Sequence, residues 1–129
     1  MAKIMIIDDD VELTEMMTVA LKLAGHQIDS LHATQDAIRH LLASIPDLII
    51  LDVMFPEDPS AGMSLAIEIR RNARLKNVPI LMLTGVNQRV PLNFSERDID
   101  PNWLPVQQFM EKPVDPAKLV PIVKKALGG

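Results

Sequence analysis

Cysteine is absent from this 129-residue sequence, which excludes a disulfide framework and a thiolate metal site. A reducing cytoplasm suits such a chain, and that is the compartment expected. Long hydrophobic runs are missing as well. Met1-Ala2-Lys3-Ile4-Met5-Ile6-Ile7 stops at Asp8, too short for the apolar region of a secretion signal and far short of the ~20 residues that cross a bilayer. A soluble protein with no membrane partner is expected. There is no long Lys/Arg tract, and 13 basic against 17 acidic residues give a net charge of −4, so the broad basic footprint of a nucleic-acid binder is lacking and direct DNA readout is not expected. Internal repeats and low-complexity segments are also absent. What is there is a 48% hydrophobic chain, enough for one compact domain over 1–129 that hides roughly two thirds of its unfolded surface.

Four short apolar runs stand out: Lys3 to Ile7, Leu48 to Leu51, Pro79 to Leu83 and the weaker Val106 to Met110. Runs this short and rich in Ile and Leu read as buried strands. Between them lie stretches with helical spacing. Leu13, Met16, Met17, Ala20, Leu21 and Ala24 form one stripe, with Gly25 as its stop. A weak strand at 27–31 precedes a helix that Thr34 can cap, carrying Ala37, Ile38, Leu41 and Leu42 and ending before Pro46. A third helix is expected from Met63 to about Ala73, and a last one from Asp115-Pro116, where an N-cap is followed by proline at the first helical position. Pro121 should bend or shorten that helix. Residues 86–108 contain Pro91, Pro101 and Pro105 without a clear period, so an irregular segment with at most a short helical piece is expected there. Alternating strands and helices imply an α/β fold with a parallel sheet covered on both faces.

In such a sheet, ligands bind beyond the carboxyl ends of the strands. The apolar runs stop at Asp8-Asp9, at Asp52, at Thr84 and at Lys112-Pro113, and these four points converge on one edge. Crowded carboxylates repel, so the site either raises the pKa of one acid or recruits a cation. Oxygen ligands of this kind suit magnesium. A lysine and a hydroxyl beside them match a phosphoryl group, for which a carboxylate can itself be the acceptor. Each feature has a plainer reading alone: the Asp8–Asp10 triplet as a helix-capping turn, Asp52 as an ordinary strand-end acid, Lys112-Pro113 as a surface turn. His26, His32 and His40 lack ligand spacing and read as surface or helix residues, and the eight methionines as core filler.

Four blocks, Ile6-Ile7-Asp8-Asp9-Asp10, Asp47-Leu48-Ile49-Ile50-Leu51-Asp52-Val53-Met54-Phe55-Pro56, Ile80-Leu81-Met82-Leu83-Thr84-Gly85 and Phe109-Met110-Glu111-Lys112-Pro113, together resemble the signature blocks of the response-regulator receiver domains of bacterial two-component systems. They occur in order across nearly the whole chain. The resemblance implies a doubly wound, five-stranded parallel sheet of the flavodoxin-like or CheY-like kind, here with an irregular or degraded fourth helix. It implies that Asp52 is the phosphoacceptor, that Asp9 and Asp52 bind Mg2+ with the backbone carbonyl of Met54, and that Asp8 acts largely through metal-bound water. Thr84 would move to contact the phosphoryl group, Lys112 would pair with it, and Phe109 occupies the aromatic switch position. The partners implied are a sensor histidine kinase or phosphotransfer protein upstream and an unidentified protein target downstream, with homodimerisation left open. The chain would be a signalling switch, not a turnover enzyme.

The sequence departs from the family pattern in two places. Glu57-Asp58-Pro59-Ser60-Ala61 lengthens the loop between Pro56 and Gly62, and Thr84 and Lys112 stand 28 positions apart without the usual small-residue motif before the fifth strand. Trp103, Leu104 and Phe109 are the expected partner surface, Trp103 being an aromatic anchor of the kind enriched at interaction hot spots; the plainer reading is that Trp103 covers the sheet edge or fills the gap left by the helix. Apolar Met54 and Val86 flank the site where polar side chains often orient water, so a long-lived phosphoryl group is expected. Two readings compete. A small phosphatase of the haloacid dehalogenase type would use Asp8 as nucleophile, but Glu12 stands where that motif needs Thr or Val. A pseudo-receiver would scaffold a partner without phosphorylation. A flavodoxin-like cofactor carrier is disfavoured because no Ser/Thr/Gly-rich loop follows the first strand.

Overall fold

The computed structural model describes residues 2–53, 55, 60–84 and 108–128, the side chains of Gln108 and Phe109 excepted. Five strands, β1 (Lys3–Ile7), β2 (Gln27–Leu31), β3 (Leu48–Asp52), β4 (Ile80–Thr84) and β5 (Gln108–Glu111), form one parallel sheet in the order β2-β1-β3-β4-β5. That is the flavodoxin-like order, whose topological switch lies between β1 and β3. The sheet's two faces are separated by the period-2 alternation of its strands. Met5, Ile7, Ile49, Leu51, Ile80 and Met82 face α2 (Ala37–Ala43) and α3 (Ala61–Arg71), while Ile4, Ile6, Leu48, Ile50, Leu81 and Leu83 face α1 (Val11–Leu23) and α4 (Pro116–Ala126). β3 and β4 are buried at every position, which is why they read as unbroken apolar runs, whereas the edge strand β2 has a half-exposed, mixed sequence.

The helix ends follow from local chemistry. Asp10 caps α1, its side chain accepting from the Leu13 amide at 3.0 Å. At the other end Gly25 takes φ 98°, and the amides of Gly25 and His26 donate to the carbonyls of Lys22 and Leu21 at 3.0 and 3.1 Å. This is a Schellman ending, in which the left-handed residue costs least as glycine. Asp115 caps α4 by accepting from the Ala117 amide at 2.9 Å, with Pro116 behind it as expected. Pro121 does not shorten α4, which runs on to Ala126. Pro121 is exposed, and so is Ala117, the residue whose carbonyl the missing amide would have paired, so water can take that place.

Two expectations need correction. Thr34 does not cap α2. The chain makes a further turn in which the Ala37 amide donates to the Thr34 carbonyl at 3.1 Å, and the helix starts only after Asp36, a left-handed residue at φ 59° whose carboxylate turns to Arg39 at 3.3 Å. The third helix starts at Ala61, two residues before Met63, and ends at Arg71, taking Gly62 into its first turn. Residues 86–107 of the expected irregular stretch, with Val86, Trp103 and Leu104, lie outside the described residues, as does Met54, and Gln108 opens β5. Among the described residues, no helix is long and apolar enough to cross a membrane.

Candidate functional site

Parallel register brings the carboxyl ends of β1, β3, β4 and β5 to one edge. Asp8 follows β1, Asp52 ends β3, Thr84 ends β4 and Lys112 follows β5. Backbone bonds tie these ends together: the Val53 amide donates to the Leu83 carbonyl at 2.9 Å, and the Lys112 amide to the Thr84 carbonyl at 2.6 Å. Asp8, Asp52 and Thr84 are the polar residues buried here, at 0%, 2% and 8% exposure. The four points expected from the sequence to converge therefore do so.

The acidic triplet divides its work. Asp10 is the helix cap, as the plainer reading had it, and Asp9 is half-buried. Asp8 points inward: its Oδ1 accepts from the Asp10 amide at 2.9 Å, and its Oδ2 lies 3.2 Å from Lys112 Nζ. Lys112 Nζ is also 3.3 Å from Asp52 Oδ1, so one ammonium stands between two buried carboxylates. Neither Asp8 Oδ2 nor Asp52 Oδ1 has a hydrogen bond of sound geometry; Lys112 meets both as an ion pair. Carboxylate oxygens of Asp8, Asp9 and Asp52 all lie within 4.8 Å of one another. Two orphaned buried oxygens in an all-oxygen donor set fit a hard divalent cation such as Mg2+.

The electrostatics agree. Burial, then the neighbouring Asp8 charge, pushes the Asp52 carboxyl up to about 6 despite Lys112. Burial also raises Asp8, against the Asp10 amide and Lys112. For Lys112 burial works to lower the pKa, but the charges of Asp8 and Asp52 outweigh it and hold the ammonium protonated above its ordinary range. One cation does not balance the acids, and the site as it stands is short of positive charge.

Two residues that sequence reasoning passed over belong to this edge. A Cβ placed on Gly62 would lie 2.1 Å from the Asp52 carbonyl oxygen and 2.3 Å from that of Val53, so only glycine lets the first turn of α3 pack on the end of β3. The signal available was a lone glycine at the start of a helical pattern. His32, grouped with the other histidines as a surface residue, is exposed but places Nδ1 3.0 Å from the Asp8 carbonyl oxygen. It follows Leu31 as Asp8 follows Ile7, and those two residues are register partners. Of the remaining expected site residues, Phe109 lies on β5, its side chain outside the described residues, while Met54, Trp103 and Leu104 lie outside them altogether.

A parallel sheet in this order, with buried acids, a threonine and a lysine gathered at its carboxyl edge, defines a class of phosphorylation-controlled α/β domains. The model of the response regulator receiver domain matches residues 4–124, and the chain belongs to that family. It is 32% identical over 124 residues to the phosphate regulon transcriptional regulatory protein PhoB of Pseudomonas aeruginosa, an alignment covering 96% of this chain and 51% of the relative. The chain thus spans about half the length of that relative. The signal receiver domain of a signal transduction histidine kinase from Syntrophus aciditrophicus superimposes with a TM-score of 0.78 at 27% identity, covering 100% of this chain and 92% of that one. A chemotaxis response regulator of Vibrio cholerae, at 23% identity and 98% coverage of both chains, shares the fold with a TM-score of 0.80. Receiver domains are the signalling switches of two-component systems, and neither the phosphatase nor the scaffold reading is favoured by these matches.

Proposed function

We propose that this chain, over 1–129, is the phosphoryl-accepting switch of a two-component phosphorelay and that Asp52 is its acceptor. One observation carries the reading: Asp52 Oδ1 and Asp8 Oδ2 are buried at the sheet edge without a hydrogen bond, facing a single ammonium. An Asp52 oxygen attacks the phosphorus of the donor, the bond from phosphorus to the donor atom breaks with its electron pair leaving on the donor, and an acyl phosphate remains on Asp52. Asp8, Asp9 and Asp52 would hold Mg2+, with the Met54 carbonyl as the further ligand that family resemblance implies. When bound, Mg2+ supplies positive charge that draws the Asp52 carboxyl to its ionised form and offsets the phosphoryl oxygens. Lys112, already between Asp8 and Asp52, pairs with the transferred group. The Thr84 hydroxyl, at the neighbouring strand end, donates to it, and Phe109 follows as the switch aromatic.

The reaction is a single stoichiometric self-modification, with no external substrate turned over. The donor is a sensor histidine kinase or phosphotransfer protein in the cytoplasm, and the output is a protein partner met by this chain through Trp103, Leu104 and Phe109. The test is to incubate the protein with acetyl phosphate, with Mg2+ or with EDTA, and to locate the modification by mass spectrometry after borohydride reduction. Modification at Asp52 that needs Mg2+ and disappears in Asp52→Asn is expected. Labelling at Asp8, or undiminished labelling of the variant, would overturn the assignment.

A further inference from the structure

We infer that His32 is a positioning residue for the magnesium site, acting from the end of β2 on the peptide that joins Asp8 to Asp9. The inference rests on the reading of those two acids as metal-site residues. A carbonyl oxygen only accepts, so the 3.0 Å contact to Asp8 O means that His32 Nδ1 carries the hydrogen and donates it. The Asp8 amide donates to the Leu31 carbonyl at 3.0 Å. Leu31, the last residue of β2, and His32, the residue after it, therefore grip the main chain of Asp8 on both sides, Leu31 through its backbone and His32 through its ring.

The Asp8 carbonyl and the Asp9 amide belong to one planar unit. Fixing the carbonyl fixes that plane, and with it the direction in which Asp9 leaves the end of β1. The turn needs such a hold, because it brings the carboxylates of Asp8 and Asp9 to within 4.8 Å of each other and of Asp52 at the end of β3, and their repulsion favours opening it. Downstream, the Asp10 amide is bonded to Asp8 Oδ1 and the Asp10 side chain to the Leu13 amide. Those bonds anchor the side chain of Asp8 and the start of α1. The His32 bond is the one described contact that anchors the Asp8 carbonyl. His32 itself is an exposed residue just past the end of β2 and belongs to neither buried core cluster, so its loss removes a directed bond with little packing.

The experiment uses full-length protein with His32→Ala and His32→Asn, the carboxamide nitrogen of asparagine standing close to the position of Nδ1. Mg2+ affinity is read from the shifts of the Asp9 and Asp10 amides in an NMR titration, phosphorylation rate from acetyl phosphate, and stability from urea unfolding. His32→Ala is expected to weaken Mg2+ binding by about three- to tenfold, at the low end for an outer contact because this one is open to water, and to slow phosphorylation in proportion. His32→Asn should return both to within about twofold of wild type, a rescue that a packing role cannot produce. Unchanged Mg2+ affinity in His32→Ala, or a loss that asparagine does not repair, would overturn the inference while leaving the phosphoacceptor reading intact. Wild-type protein that binds no Mg2+ would overturn both.

Discussion

Replacing Asp52 with asparagine should make the metal-free protein more stable at pH 8, even though it removes one partner of an ion pair. The Asp52 carboxyl is raised from 3.8 to about 6 in the folded state, a difference of about two units, and each unit corresponds to 1.36 kcal/mol. The native state therefore binds the Asp52 proton more tightly than the unfolded state does. The ionised form costs about 3 kcal/mol when pH is well above 6, and the penalty is relieved as pH falls through 6 toward 3.8. Asparagine carries no such charge at any pH. In EDTA, Asp52→Asn should exceed wild type by about 3 kcal/mol at pH 8 and by about half of that at pH 5, where wild-type Asp52 is largely protonated and the unfolded chain is not. Urea unfolding at the two pH values, with midpoint and slope compared, measures the gap. Saturating Mg2+ should reverse the order, since a ligand that binds only the folded wild type stabilises it by mass action. A variant less stable than wild type at pH 8 in EDTA, or a gap that does not narrow at pH 5, would refute the view that the site is short of positive charge.

Lys112→Ala removes the one ammonium between Asp8 and Asp52. It should cost about 3 kcal/mol at pH 8, less at pH 5, and drive the Asp52 carboxyl above 6. A carbon-detected NMR titration that leaves Asp52 where it was would show that the contact is electrostatically idle. Gly62→Ala must push α3 away from the Asp52 and Val53 carbonyls, which its Cβ would otherwise approach to 2.1 and 2.3 Å. A loss of about 2 kcal/mol is expected, together with slower phosphorylation, because the displaced backbone carries the proposed acceptor; an unaltered melting temperature would mean that the helix accommodates a methyl group there.

The sheet was legible because three of its five strands, β1, β3 and β4, are buried on both faces or nearly so, and such strands print themselves as Ile/Leu runs; all three lie within one residue of their expected bounds. The converging acids, threonine and lysine were legible for a related reason, since each marks the point where an apolar run stops. What was not legible depends on a residue's neighbours in space. Thr34 has the chemistry of a cap, yet the left-handed turn at Asp36 delays α2 and spends the Asp36 carboxylate on Arg39. Gly62 reads as a helix breaker along the chain, whereas across the chain it is the one residue that fits under the end of β3. The contact of His32 with Asp8, 24 positions away, follows from the β1–β2 register, which no local pattern announces.

The burial of Asp52, only 2% exposed, separates recognition from chemistry. A carboxylate with almost no surface offers a donor protein nothing to grip, so a docking partner must choose this chain by the rim around the sheet edge and reach the acid only after it has seated. On the proposed acceptor role of Asp52, chains with the same acids and the same lysine would ignore one another's donors, and crosstalk between parallel signalling routes would be a matter of rim side chains rather than of the reacting group.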